Sequence, residues 1–270
     1  MAHKEKIPSG CDTVDKLLFG GFPTRKVSGI SAPTTSGKSV LGLQFCLQAN
    51  KMGAPAVIVE TEGMDYDYGK EFLAKRFGVK EPMIYVEEAR DIKDVLALFG
   101  LNLKKYEVSE GGRLELALEI MPTFRIGTLL ESLKPKVLLL DSFSQFIKNY
   151  VEQKTSNLPA RATLEEMFFG RLQVLAEKYD LAVILAHQAA GIDPMHSNAF
   201  RDPFSSDIVY YNTKYLLEII PPTSVLQTQF GAFGDVRRVR RARYDMHKPS
   251  DWELTAIKED VGFVDVRKQK

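Results

Sequence analysis

Apolar and polar positions along this chain follow two alternating rhythms. Short, mostly apolar runs recur at Val27–Ser31, Ala56–Glu60, Val137–Leu140 and Leu181–Ala186, with a briefer one at Met83–Val86. Between them, apolar residues fall at helical spacing over Lys38–Lys51, Tyr68–Phe77, Asp91–Leu98, Phe124–Ser132 and Leu164–Lys178. Gly78 ends the second of these helices and Pro135 stops the fourth. Buried strands alternating with helices predict a parallel sheet covered on both faces. From Lys214 the pattern changes: Lys214–Ile219, Val236–Tyr244, Glu253–Ile257 and Phe263–Val266 read as antiparallel strands. One segment breaks the alternation. Tyr106–Leu116 switches between apolar and charged residues around Gly111-Gly112, the signature of a hairpin. It reads as an insertion within 101–122 or as part of a longer irregular crossover. The expected architecture is a single α/β domain over 1–270, with a mostly parallel central sheet flanked by helices and C-terminal antiparallel strands.

Composition narrows the picture only slightly. A chain of 270 residues with 44% hydrophobic residues is long enough for one large α/β core. The net charge of +1 carries no global signal for nucleic acid or membrane, so any basic surface must be local. Two cysteines, Cys11 and Cys46, make no disulfide framework and suit a reducing, cytoplasmic setting. The polar start, Met1-Ala2-His3-Lys4-Glu5-Lys6, lacks the apolar region of a signal peptide, and no run is long enough to span a membrane.

The chemistry gathers where strands end. Ser31-Ala32-Pro33-Thr34-Thr35-Ser36-Gly37-Lys38-Ser39 follows a strand and opens a helix, the context of a phosphate-binding loop. Backbone N–H groups of Pro33–Val40 (Pro33 itself has none) and the helix N-terminus suit a polyphosphate. In such a loop Lys38 reaches the β- and γ-phosphates of ATP, and the Ser39 hydroxyl ligates Mg2+. The loop's customary first glycine is Ala32 here, a change expected to alter nucleotide affinity or turnover. Asp141 ends an apolar run on the side where the loop opens. It is read either as a second Mg2+ ligand or as a cap for a following helix, and the neighbouring phosphate loop favours the metal. Glu60 and Glu62 flank Thr61 beyond the second strand, on one side if that segment is extended. Either can activate a water; Glu62 is preferred as the general base. Gln188, just past the strand Leu181–Ala186, is placed to sense the γ-phosphate.

These residues resemble those of the RecA-fold P-loop ATPases of the RadA/RadB recombinase-paralogue group, which is related to KaiC-like ATPases. Ile7–Pro23, with its Gly20-Gly21, resembles the group's entry segment. Val59-Glu60-Thr61-Glu62-Gly63 resembles its Asp-Thr-Glu-Gly, with Glu60 in place of the Asp and Glu62 at the catalytic carboxylate. Leu140-Asp141-Ser142 matches the Walker B strand end. Ala186-His187-Gln188 resembles an Asn-Gln pair, with His187 in place of Asn. The resemblance implies a RecA-like core that binds ATP and Mg2+, hydrolyses ATP weakly or under DNA stimulation, and assists DNA recombination and repair. It also implies single- or double-stranded DNA, and a recombinase or a second copy at the nucleotide interface, as partners. No N-terminal helix-hairpin-helix domain is expected, and no Phe-x-x-Ala linker precedes residue 7. The alternative is a KaiC-like regulatory or assembly ATPase without a DNA role, and a third reading is a nucleotide-binding scaffold without turnover.

The resemblance places two DNA-facing loops, at 148–161 with Lys148, Lys154 and Arg161, and at 189–207 with His196, Phe200, Arg201 and Phe204. Asp193, Asp202 and Asp207 make the second loop equally readable as a gate that touches nucleotide or partner. The densest charge is Arg237-Arg238-Val239-Arg240-Arg241-Ala242-Arg243. Strict alternation puts Arg237, Val239, Arg241 and Arg243 on one face and Arg238 and Arg240 on the other. Three readings stand: a phosphate-gripping ribbon, fingers reaching a neighbour's ATP through Arg241-Ala242-Arg243, or a solvated edge strand. Trp252 is expected to pack into the sheet.

Overall fold

The computed structural model describes residues 5–108, 114–143, 158–189 and 212–266. The chain opens with β1 (Lys6–Ile7), α1 (Asp12–Leu17) and β2 (Phe22–Pro23), short elements that the apolar spacing does not announce. Next come β3 (Lys26–Ala32), α2 (Lys38–Lys51), β4 (Ala56–Glu60), α3 (Tyr66–Phe77), β5 (Ile84–Glu88) and α4 (Ile92–Leu98). The expected hairpin is β6 (Leu101–Val108) and β7 (Leu114–Ile120), a separate two-stranded antiparallel sheet. It is followed by α5 (Arg125–Leu133), β8 (Val137–Asp141), α6 (Leu158–Lys178) and β9 (Ala182–Gln188). The C-terminal part holds β10 (Tyr215–Ile220), α7 (Ser224–Phe230), β11 (Asp235–Tyr244), β12 (Glu253–Lys258) and β13 (Gly262–Asp265). Helix α7 was not expected: it has no buried residue, and its visible signal is Thr223, whose side chain accepts from the Leu226 N–H as an N-cap. Helix α6 starts at Leu158 rather than Leu164, so Arg161 sits on a helix and not in a loop.

One nine-stranded sheet organises the molecule, in the order β13-β12-β11-β10-β3-β9-β8-β4-β5. From β10 to β5 all neighbours are parallel; from β10 to β13 all are antiparallel. Strand β10 therefore differs from the expectation of a purely antiparallel C-terminal unit, because it is parallel to β3 on one side and antiparallel to β11 on the other. Residue alternation in the central strands splits the core in two. Ile58, Leu139 and Ile184 face one cluster with α2, and Val57, Val59, Leu138, Leu140, Val183 and Leu185 face the other with α4, α5 and α6.

Helix α2 is buried almost all round, from Leu41 to Asn50. It lies so close to the sheet that a Cβ at Gly42 would meet the Leu139 side chain at 2.8 Å. A buried amide locks it to its roof. Gln44 Oε1 accepts from the Phe263 N–H at 2.6 Å, and its Nε2 donates to the Ser9 carbonyl at 3.2 Å. The Arg76 guanidinium adds bonds to the carbonyls of Gly10, Val261 and Phe263. Gln44→Leu keeps the size of the side chain but leaves buried backbone groups unpaired. Urea unfolding should show a loss of about 1–3 kcal/mol with an unchanged m-value.

Candidate active site

The phosphate loop leaves β3 at its carboxyl end, between the ends of β9 and β10. Thr35 (φ 62°) and Gly37 (φ 95°) both adopt left-handed backbone, which bends the loop back on itself before α2 begins. At Gly37 the roof adds a second reason for glycine: a Cβ would meet Ile257 at 2.5 Å and Phe263 at 2.9 Å. Ala32, the departure from the customary glycine, is fully buried as the last residue of β3, and its carbonyl accepts from the Ala189 N–H. Lys38 is buried, with Nζ 3.4 Å from the Pro33 carbonyl. Burial lowers its pKa from the ordinary lysine value, while Asp141 and Glu62 draw it back up. The three charged groups therefore converge on one floor.

Asp141 ends β8 with none of its surface exposed. One carboxylate oxygen, Oδ2, accepts from the Tyr66 hydroxyl, and the Ser39 hydroxyl also bonds to the carboxylate. The other oxygen, Oδ1, is buried without a hydrogen-bond partner among the described residues. Burial raises the carboxyl pKa, with Ser39 and Tyr66 working against it. A buried carboxylate oxygen left unmatched beside a serine hydroxyl fits a divalent cation, and the hard oxygen donors fit Mg2+. Among the described residues no group of three or more His, Cys, Asp or Glu forms a closed metal cage. The carboxylate is tied to Ser39 and Tyr66, and the residues beyond Phe143, which the helix-cap reading of Asp141 needs, lie outside the described residues.

The two glutamates separate sharply. The chain turns after Glu60, so the extended alternation expected to put both on one side does not continue. Glu60 Oε1 accepts from the backbone N–H groups of Glu62, Gly63 and Met64, and Oε2 is paired with Arg90. Its side chain is 1% exposed and both oxygens are occupied, so it anchors the loop and is not placed to handle a proton. Glu62 is exposed at the tip, with Oε1 accepting from Ser142 Oγ at 2.5 Å. Thr61 stitches the neighbouring strand ends: its N–H donates to the Asp141 carbonyl, and its Oγ1 accepts from the Ser142 N–H at 2.9 Å. Glu60, Thr61 and Arg90 thus brace this loop, a structural part that motif reading alone does not assign to them. Tyr66 plays another, and its sequence context carries no signal for its bond to Asp141.

At the next strand, Gln188 Nε2 donates to Thr34 Oγ1, which joins the expected sensor directly to the phosphate loop. His187 beside it is buried, with its ring edge-on to Phe143. Burial, and then the Lys38 charge, push its pKa down to about 3. Next to Ser39 a mainly apolar cavity of about 330 Å³ opens between α3 and the β12–β13 turn, walled by Val40, Met64, Tyr66, Phe72 and Ile257.

The arginine strand does not alternate as expected. A bulge at Ala242 lets Leu216 pair with Arg243 while Leu217 pairs with Arg241. Arg241 therefore stays on the side of Val239, and Arg243 moves to the side of Arg238 and Arg240, where it acts on Glu218. Arg237 is buried, doubly bonded to Asp235, and reaches the Thr35 carbonyl at 3.4 Å. Arg240 pairs with Glu218 at 2.5 Å. Arg241 is held in its own chain, on the carbonyls of Leu17 and Lys248 and 4.5 Å above the Phe19 ring. Trp252 precedes β12 rather than packing within the sheet, and Arg240 and Arg238 lie over its ring at 4.6 and 5.7 Å. Lys148, Lys154, Asp193, His196, Phe200, Arg201, Asp202, Phe204 and Asp207 lie outside the described residues, so both DNA-loop expectations do as well, apart from the backbone of Arg161.

His187 provides a test of this geometry by pH. Its folded pKa is depressed, so the folded state binds fewer protons than the unfolded chain below about pH 6.5. Stability should be full above that value and fall by about 1.4 kcal/mol per pH unit as the pH drops towards 5. In His187→Asn that slope should shrink, as read from urea midpoints between pH 7 and pH 5.

Residues 7–193 match the sequence model of the family described as "ATPase: KaiC". The chain is 24% identical over 216 residues to the DNA repair and recombination protein RadB of Methanococcoides burtonii, covering 80% of this chain and 83% of that protein. It is 38% identical over 98 residues to the RecA protein of Oleidesulfovibrio alaskensis, which is 33% of this chain and 26% of that RecA. The solved structure titled as the RadB recombinase superposes with a TM-score of 0.66 at 18% identity, covering 97% of this chain and all of that one, so the fold is RecA-like. Among the described residues no helix is long and apolar enough to cross a membrane. With the family's sequence model spanning more than half of its length, this chain belongs to the KaiC family of ATPases.

Proposed function

We propose that this protein binds ATP with Mg2+, hydrolyses it slowly, and assists DNA recombination and repair as a RadB-like paralogue. The observation that carries the nucleotide reading is the convergence of Lys38, Ser39 and Asp141, with Asp141 Oδ1 buried and unmatched. The loop N–H groups of Thr34–Val40 and the α2 N-terminus hold the phosphates. Lys38 neutralises charge on them. Ser39 and Asp141 would hold Mg2+, which would supply charge stabilisation to the phosphate oxygens. Glu62 takes a proton from the attacking water, on a loop that Glu60 and Arg90 fix in place. Gln188 passes the state of the phosphates through Thr34 to the segment beyond β9. The apolar cavity beside Ser39 suits the flat face of the base.

The DNA role is supported by the names of the similar proteins, a DNA repair and recombination protein and RecA. On the chain itself, Arg238, Arg240 and Arg243 share one basic face of β11, with Arg238 and Arg240 over the Trp252 ring. Arg241 is committed within its own chain, which favours this ribbon over a finger formed by Arg241. The regulatory reading without DNA is compatible with the KaiC family match, and the RadB and RecA relatives fit the DNA reading better.

Turnover and DNA binding separate these readings. Lys38→Ala should abolish ATP binding or hydrolysis. Glu62→Gln should leave ATP bound and slow hydrolysis by about 100-fold or more, the order expected for loss of a general base. Single-stranded DNA should raise the phosphate-release rate of the unmodified protein. Its binding should weaken steeply with salt, and Arg240→Ala should lower the affinity. No measurable DNA binding at low salt would leave the regulatory ATPase as the correct reading.

A further inference from the structure

Tyr66 joins two parts of the site that the sequence motifs treat separately. It is the first residue of α3, four positions after Glu62, and is 5% exposed. Its ring is a wall of the 330 Å³ cavity that opens at Ser39. Its hydroxyl donates to Asp141 Oδ2 and also bonds the Ser39 hydroxyl, so it touches both oxygen donors assigned to Mg2+. Asp141 is completely buried, and among the described residues its other oxygen has no partner. A carboxylate in that position is free to rotate unless one oxygen is pinned. The Tyr66 hydroxyl is the pin on Oδ2, which leaves Oδ1 directed elsewhere. The pin is itself held in place. Glu60 bonds the N–H groups of Glu62, Gly63 and Met64 just upstream, and α3 follows at once.

We propose that Tyr66 is a positioning residue for the metal: through its hydroxyl it orients Asp141, and with it Ser39, for Mg2+ without touching the ion or the phosphates. The inference depends on the cleft being a Mg2+–nucleotide site, as proposed above. Hydrogen-bond partners that orient a metal-binding carboxylate typically contribute about 10–100-fold to metal affinity. Loss of the Tyr66 hydroxyl should therefore act on the metal and spare the nucleotide itself. Phenylalanine is the informative replacement, because it retains the ring that walls the cavity and removes only the donor.

The test uses the full chain and a fluorescent ATP analogue, titrated first in EDTA and then over a Mg2+ series, with Mn2+ binding followed in parallel by electron paramagnetic resonance. Tyr66→Phe should match the unmodified protein in EDTA. Its Mg2+ midpoint, and its Mn2+ dissociation constant, should rise by about 10–100-fold. In an Asp141→Asn background the same Tyr66→Phe change should add little, because its route to the metal is gone. A merely structural role for Tyr66 would lower the melting temperature and weaken nucleotide binding in EDTA and in Mg2+ alike, and that result overturns the inference. So does an unchanged or lower Mg2+ midpoint in Tyr66→Phe when the unmodified protein responds to Mg2+ normally. If the unmodified protein shows no Mg2+ response at all, the nucleotide reading itself fails and the inference falls with it.

Discussion

A carboxylate held out of water is the constraint on which the site is built. Asp141 lies at the end of a strand flanked on both sides, by β4 and β9, so solvent cannot reach it from the sheet plane. Burying an ion in this way costs several kcal/mol unless other groups match its charge. Ser39 and Tyr66 supply donors to it, and Lys38 supplies charge from the phosphate loop. The remaining oxygen is unmatched among the described residues. Folding thus concentrates an unmet demand for positive charge at one point, which a cation carried by a phosphate chain would satisfy on the proposed reading. The same dehydration keeps His187 neutral and lowers the Lys38 pKa.

The elements around this floor act as braces. Thr61 ties the β4 end to the β8 end, so the loop bearing Glu62 is held directly against Asp141. Glu60, paired with Arg90, fixes the start of that loop by three backbone bonds. From the far side, Ile257 and Phe263 press on Gly37, and Gln44 joins α2 to β13. The C-terminal antiparallel strands therefore pack directly against the loop and helix of the candidate site and are not an appendage. Arg237 extends the same contact, because the strand that carries the arginines touches the phosphate loop at the Thr35 carbonyl.

Much of this was legible in the chain. Helix α2 was bounded at Lys38 and Lys51 from spacing alone, and β4 at Ala56 and Glu60, because a fully buried run followed by a change of polarity marks both its ends. The loop, Asp141 and Gln188 were identifiable because a parallel sheet brings its strand ends to one edge. The short elements β1, α1 and β2 were not, since two to six residues give no period to read. The register of β11 was also hidden. One bulge at Ala242 reverses every later side chain, and nothing in a run of arginines marks where the extra residue falls.

What the sequence determined by itself was the set of strand ends and the residue types placed on them: a lysine and serine after one strand, an aspartate at the end of another, a glutamate pair beyond a third. These follow from short-range patterning, because burial on both faces requires continuous apolar runs and chemistry is left to their ends. What only the tertiary structure decided was the division of labour between chemically equal residues. Glu60 and Glu62 are the same side chain two positions apart, and one became an anchor because its oxygens met three N–H groups and a guanidinium. Tyr66 became a partner of Asp141, 75 residues away, because α3 starts where β8 ends. Such roles depend on distances between elements, and distances between elements are not written in any local stretch of chain.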